Sequence, residues 1–138
     1  MIIGRVVCRP GVETDKLFSK ISGLPASDGM AFNYLKCDGF EGGYFLSPRL
    51  PYTAEDFFYS DFEHDILVLM SGSVYNSREL IAGAGLERDM PYPGLVARLF
   101  LDAGPDFVKE LNGDFAICIH RPSGGETFLF RDHAGIRP

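Results

Sequence analysis

Apolar residues follow two different periods along this chain, and the periods separate predicted strands from predicted helices. Short runs that are apolar, β-branched or alternating, and that end at turn residues, predict strands. These runs cover residues 2–8, 30–37, 43–47, 57–59, 66–70, 114–120 and 127–131. Residues 122–125 (PSGG) predict the turn of a hairpin that joins the last two strands.

Three other segments carry apolar residues at helical spacing. The first begins at Thr14 and stops at Gly23. The second begins at Asn76, where Glu79 three residues later predicts a reciprocal cap of the helix start. The third has Pro93 in its first turn, where proline fits. Helices grouped between groups of strands predict an α+β layered sandwich.

Composition narrows the class of protein. The chain has 138 residues, 46% of them hydrophobic, which fits one domain with its own core. A net charge of -6 argues against a nucleic-acid partner. No apolar run approaches the ~20 residues that cross a membrane. Cys8, Cys37 and Cys118 lie far apart among apolar or strand-like neighbours, so we expect three reduced thiols in a cytoplasmic protein. The three histidines have no metal-ligand spacing with one another or with the cysteines, so we expect no metal.

Three segments of the second half resemble, in order, motifs of the glutaminase domain of asparagine synthetase. Residues 71–76 (SGSVYN) resemble the family's NGEIYN segment. Residues 104–116 (GPDFVKELNGDFA) resemble its G-x-x-F-x-x-x-L-x-G-x-F-A segment, and residues 131–138 (RDHAGIRP) resemble its RD-x-x-G-I-x-P signature. The first 65 residues match only in strand pattern and length. The resemblance implies the N-terminal-nucleophile hydrolase fold, a four-layer αββα sandwich of two antiparallel sheets between helices.

The resemblance also implies a chemistry that the start of this chain does not support. Glutaminases of this class attack glutamine with the thiolate of an N-terminal cysteine, whose own α-amine is the general base. Ile2 occupies the position of that nucleophile here, and its bulk should prevent removal of Met1. Cys8 cannot take over, because its nitrogen is a peptide amide. We therefore assign no catalytic residue.

Four positions correspond, through the resemblance, to a remnant glutamine pocket. Ser71 stands where the family has the asparagine of its oxyanion hole, and Gly72 keeps a backbone N–H beside it. Tyr92 stands where the family has an aspartate that binds the α-ammonium group of glutamine. Arg49, followed by Leu50, matches the arginine that binds the substrate carboxylate, with a solvated loop arginine as the alternative interpretation.

The family context supplies the expected partner and cofactors. An ATP-pyrophosphatase synthetase domain follows the glutaminase domain in the family, and ATP and Mg are expected there rather than in residues 1–138. We therefore expect a glutamine amidotransferase-like domain of a longer ATP-dependent amide-forming enzyme, without glutaminase activity. Two alternatives stay open: an active glutaminase that supplies ammonia for asparagine synthesis, and a non-catalytic binding or oligomerisation module. A homodimer is also expected, through apolar surface at the end of the chain.

Two expectations concern packing. Five strand residues should lie in or beside the core: Val6, Leu69, Phe115, Ile117 and Leu129. In the last motif, the guanidinium of Arg131 should lie near a carboxylate.

Overall fold

The computed structural model describes residues 2–6, 29–37 and 39–135. Within these ranges, seven strands form two antiparallel sheets, with the order β1-β3-β2 in sheet 1 and β4-β5-β6-β7 in sheet 2. The two antiparallel sheets confirm the predicted α+β sandwich. The strands are β1 (Ile2–Val6), β2 (Ala31–Cys37), β3 (Phe40–Leu46), β4 (Phe58–Asp61), β5 (Ile66–Val74), β6 (Gly113–Arg121) and β7 (Glu126–Arg131).

Helical segments of the described chain connect β3 to β4 and β5 to β6. The helix Tyr92–Ala103 follows Pro91 and has a second proline, Pro93, in its first turn, as predicted. It ends at Ala103, before Gly104, whose φ of 61° lies in a region that glycine adopts readily. The predicted helix from Thr14 lies outside the described residues. The helices are α1 (Ser77–Gly83) and α2 (Tyr92–Ala103), with 3-10 segments at Ala54–Asp56 and Gly104–Glu110.

Strand β5 is buried on both faces, which explains why its sequence is a continuous apolar run rather than an alternating one. Alternate residues Ile66, Val68 and Met70 belong to one cluster, together with residues of α2 such as Val96 and Phe100. We call this the helix-side cluster. Because it packs α2 against sheet 2, it fixes the helical layer on that face of the sandwich.

The opposite face of β5 packs against sheet 1. Leu67 and Leu69 meet Phe40 and Tyr44 of β3 there, and Cys118 of β6 joins them. We call this the inter-sheet cluster. It holds the two sheets face to face, and the candidate site lies at one end of it.

The packing expectations hold in part. Leu69, Phe115 and Ile117 are buried, which confirms them as core residues, whereas the side chain of Val6 lies outside the described residues. Leu129 is 73% exposed, so its assignment to the core was wrong. The reason is its place at the edge: β7 is one of the two outer strands of sheet 2, and Leu129 lies on the face opposite Phe128 and Phe130, which pack against the helix-side cluster.

The surroundings of the Arg131 guanidinium also differ from the expectation that it lies near a carboxylate. No described carboxylate lies within ion-pair distance of it, and its guanidinium lies against Gly135 instead. The neighbouring Asp132 is buried, and its N–H donates to the carbonyl oxygen of Phe115 at 2.9 Å. Asp132 therefore ties the start of the final motif to β6.

The reciprocal cap predicted at Asn76 is wrong. Asn76 precedes α1, but its side chain makes no cap hydrogen bond. Its Nδ2 donates to the carbonyl oxygen of Glu110 at 2.8 Å, and its Oδ1 accepts from the backbone N–H of Asn112 at 2.9 Å. Glu110 is the last residue of the 3-10 segment, and Asn112 directly precedes β6. Asn76 therefore ties the end of β5 to the beginning of β6.

Candidate functional site

Position 2 begins the first strand and lies next to Tyr44. In the antiparallel register of sheet 1, Ile2 is paired with Tyr44 of β3, and Tyr44 is paired with Asn33 of β2. Residues directly opposite one another in an antiparallel pair share a face of the sheet. These three positions therefore form one row across sheet 1.

Three contacts show which part of sheet 2 faces that row. The side chain of Leu69 packs so closely against Gly42 that a Cβ there has no room. Two residues further along β3, the ring of Tyr44 stacks on Phe57, with centroids 5.5 Å apart and planes at 5°. The carbonyl oxygen of Phe57 accepts from the N–H of Met70 at 2.8 Å. Tyr44 therefore lies at the level of residues 70–71 of β5.

Ser71 completes this end of the sandwich. It follows Leu67 and Leu69 at two-residue spacing and so lies on the inter-sheet face of β5, paired with Ala116 of β6. The structure thus brings two predicted positions, 2 and 71, to the same end of the space between the sheets. We call this region the residue-2 end; it comprises Ile2, Asn33, Tyr44, Phe57 and Ser71.

The backbone conformation at position 72 favours glycine. Its φ is +111°, a conformation that side chains rarely adopt. A Cβ at this position would also overlap the carbonyl oxygen of Asp114 on β6. The close approach of the two strands therefore fixes this residue, whether or not its N–H serves a ligand.

The other two pocket candidates lie elsewhere. Tyr92 is the first residue of α2 and packs against the helix-side cluster, on the face of sheet 2 opposite Ser71. Arg49 lies in the exposed turn after β3, where its backbone N–H donates to Ser47 Oγ at 3.3 Å. Of the four candidates, only Ser71 and Gly72 lie side by side.

Burial controls the ionisation of this region. Desolvation raises the pKa of the Tyr44 phenol. Burial, and secondarily the nearby Cys37, raises the pKa of Cys118 to about 12. Cys118 is therefore a protonated thiol at neutral pH, and a thiol attacks an amide only as the thiolate. Cys8 lies outside the described residues.

Sequence reasoning missed two residues of this region. Tyr44 lies in the paired row beside position 2, and the Nδ2 of Asn33 is buried with no hydrogen-bond partner among the described groups. Neither residue belongs to a recognised motif. The signal that identifies them is the register between strands, which a single sequence does not supply.

The described part of the chain lacks two other kinds of feature. It contains no group of three or more His, Cys, Asp or Glu side chains arranged to hold a metal ion. In the same residues, no helix has both the length and the apolar character needed to cross a membrane.

Comparison with known proteins identifies the family of this chain. A family model described as "Glutamine amidotransferase domain" matches residues 51–138. The "Putative asparagine synthetase [glutamine-hydrolyzing] 2" of Methanocaldococcus jannaschii is 35% identical over 75 residues, which are 54% of this chain and 15% of that protein. The "Asparagine synthetase [glutamine-hydrolyzing] 2" of Bacillus subtilis is 31% identical over 75 residues, 53% of this chain and 10% of that protein. The chain thus spans a small part of either relative, and it belongs to the glutamine amidotransferase domain family.

Proposed function

We propose that this chain is the glutaminase-like domain of an ATP-dependent amide-forming enzyme similar to asparagine synthetase, and that the domain does not hydrolyse glutamine. One observation carries the proposal. The strand whose first residue would present the nucleophile reads IIGRV, from Ile2 to Val6, and contains neither a thiol nor a hydroxyl group. Nucleophilic cleavage of an amide requires such a group next to a general base.

The remaining pocket positions support the same proposal. Ser71 reaches the inter-sheet space with a shorter donor than an asparagine amide, and loss of one oxyanion donor typically lowers kcat by roughly 10²–10³. Tyr92 packs with the helix-side cluster on the other face of sheet 2, so it supplies no carboxylate beside Ser71 to pair with the ammonium group of glutamine. Because a nucleophile and its oxyanion donors act as one unit, their losses are not independent energies to be summed.

The amide-forming part of the proposal concerns residues outside this chain. Both relatives bear the name asparagine synthetase, and the matched segment is 15% of one and 10% of the other. We propose that a synthetase domain of the same protein is the partner of residues 1–138 and is where ATP and Mg bind. The glutaminase-like domain would then serve as a scaffold packed on that domain.

The test is an assay for glutamate release from glutamine, with an active glutaminase of the family as the positive control. We expect no release above the buffer rate, and no labelling of any cysteine by a glutamine-like electrophile. Ile2→Cys should recover little activity, because Ser71 remains a shorter oxyanion donor than the amide of an asparagine. Glutamate release that disappears in Cys8→Ala would overturn the proposal and support an active glutaminase.

A further inference from the structure

Aromatic rings fill the residue-2 end of the sandwich. Tyr44 lies between position 2 and Asn33 in sheet 1, and its ring stacks in parallel on Phe57 at 5.5 Å. Tyr52 meets the same Phe57 ring edge-on at 5.7 Å and 77°. Tyr44 is 5% exposed and Tyr52 is 51% exposed. The three rings therefore form a continuous column from the buried row to the surface.

Tyr44 is the ring that β3 contributes to this column. Along the inter-sheet face of that strand, Gly42 has no side chain, and Leu69 of β5 takes the space in front of it. Tyr44, the next residue on the same face, instead projects a full aromatic ring into the space between the sheets. Beside position 2, the space is therefore taken up by a side chain of sheet 1 itself.

Asn33, on the other side of Tyr44, indicates that this end of the space is not optimised for stability alone. Its Nδ2 is buried and has no hydrogen-bond acceptor among the described groups. A buried donor without an acceptor destabilises the folded state, and such groups are uncommon in folded proteins. A polar side chain thus lies beside the aromatic rings of this region.

We infer that Tyr44, backed by Phe57, is a specificity-determining residue that sterically excludes glutamine from the space beside position 2. This inference rests on the proposed function and adds a cause that does not depend on the nucleophile. A small amide that reaches position 2 has to displace the Tyr44 ring from its stack on Phe57. Restoring a thiol at position 2 therefore leaves that thiol shielded.

The experiment measures access to position 2 directly. In Ile2→Cys, iodoacetamide, a small amide electrophile, alkylates the introduced thiolate: a carbon–sulfur bond forms and iodide leaves. Peptide mapping by mass spectrometry separates this label from labels on the native cysteines. We expect labelling at least about tenfold slower than in the same chain unfolded in urea, because reaction requires local opening. Removal of the ring in Ile2→Cys/Tyr44→Val should accelerate labelling at least about tenfold.

A matched control comes from the neighbouring residue. Phe45 lies on the opposite face of β3, where it packs on Phe32 with ring centroids 4.9 Å apart. Ile2→Cys/Phe45→Val therefore removes a ring of similar size from the same strand without opening the residue-2 end. We expect its labelling rate to stay within about twofold of the Ile2→Cys rate, since successive strand residues face opposite sides.

The outcomes separate this inference from the proposed function. Labelling of Ile2→Cys at the unfolded rate, or equal acceleration by Tyr44→Val and Phe45→Val, would overturn the role of Tyr44. If Tyr44→Val melts below the assay temperature, Tyr44→Leu, which lacks the ring but keeps apolar volume, replaces it. Glutamate release by the unaltered chain would overturn the proposed function, and the labelling rates would still decide what Tyr44 does.

Discussion

Gly72 and Asn76 show that single residues of the 71–76 motif serve the backbone as well as any ligand. Gly72 permits a close approach between β5 and β6, and Asn76 bridges the end of β5 to the loop before β6. Both roles remain when the chemistry of neighbouring positions changes. The resemblance in this motif therefore reflects how β5 and β6 are joined. Such a resemblance is compatible with an inactive pocket.

Gly72→Ala should destabilise the fold strongly, because the new Cβ combines an unfavourable φ of +111° with overlap on the Asp114 carbonyl. We expect a loss of at least about 2 kcal/mol in the free energy of unfolding. Gly85→Ala is the matched control: its φ is +64°, but no atom lies within 4 Å of the added Cβ. It should cost only about 1 kcal/mol. Urea denaturation measures both, and equal losses would contradict steric overlap at Gly72.

At the scale of elements, the hydrophobic pattern alone predicted where most strands lie along the chain. It did not predict which of their side chains are exposed. The apolar run at residues 66–70 predicted a buried strand, and β5 is buried on both faces. Residues 127–131 carry a similar apolar pattern, yet Leu129 is exposed because β7 is an outer strand of sheet 2. Position within a sheet is decided by pairing between distant segments. A local pattern therefore predicts that a strand forms, but it does not predict the position of that strand within the sheet.

The contrast between β5 and β7 gives a stability prediction. Leu129→Ala should change the free energy of unfolding by less than about 0.5 kcal/mol, because this exposed side chain loses little contact. Leu69→Ala should cost about 2–5 kcal/mol, because it leaves a cavity in the inter-sheet cluster. Thermal or urea unfolding measures both substitutions. A large loss in Leu129→Ala would show that this residue is covered in solution.

At the scale of the whole molecule, the candidate site depends on how the sheets stack. Motif resemblance identified position 2 and Ser71, and the structure brings both to one end of the inter-sheet space. Motif resemblance did not identify Tyr44, because the register between strands is what brings that residue beside position 2. It also grouped Tyr92 with Ser71, although sheet 2 separates them. The register between strands and the packing of the two sheets depend on contacts between distant parts of the chain. A pocket inferred from sequence motifs is therefore incomplete until those contacts are known.

The inter-sheet cluster also makes the stability of the whole molecule sensitive to alkaline pH. Burial raises the pKa of Cys118 from 9.0 to about 12, so above pH 9 the unfolded chain releases this proton while the folded chain retains it. The contribution of Cys118 is therefore fully present below about pH 9 and is lost as the pH rises toward 12. Tyr44, whose pKa burial also raises, acts in the same direction.

Cys118→Val should weaken this pH dependence, because valine fills similar apolar space and has no proton to release. Between about pH 7.5 and 10.5, the unaltered chain should lose up to about 2 kcal/mol more in free energy of unfolding than the variant. Urea midpoints at the two pH values measure the difference. Val96→Ala is the control, since it truncates a buried side chain of the helix-side cluster, lowers stability at both pH values and leaves the surroundings of Cys118 unchanged. Equal pH dependence in the unaltered chain and Cys118→Val would show that the thiol is not buried as the sheets of this structure require.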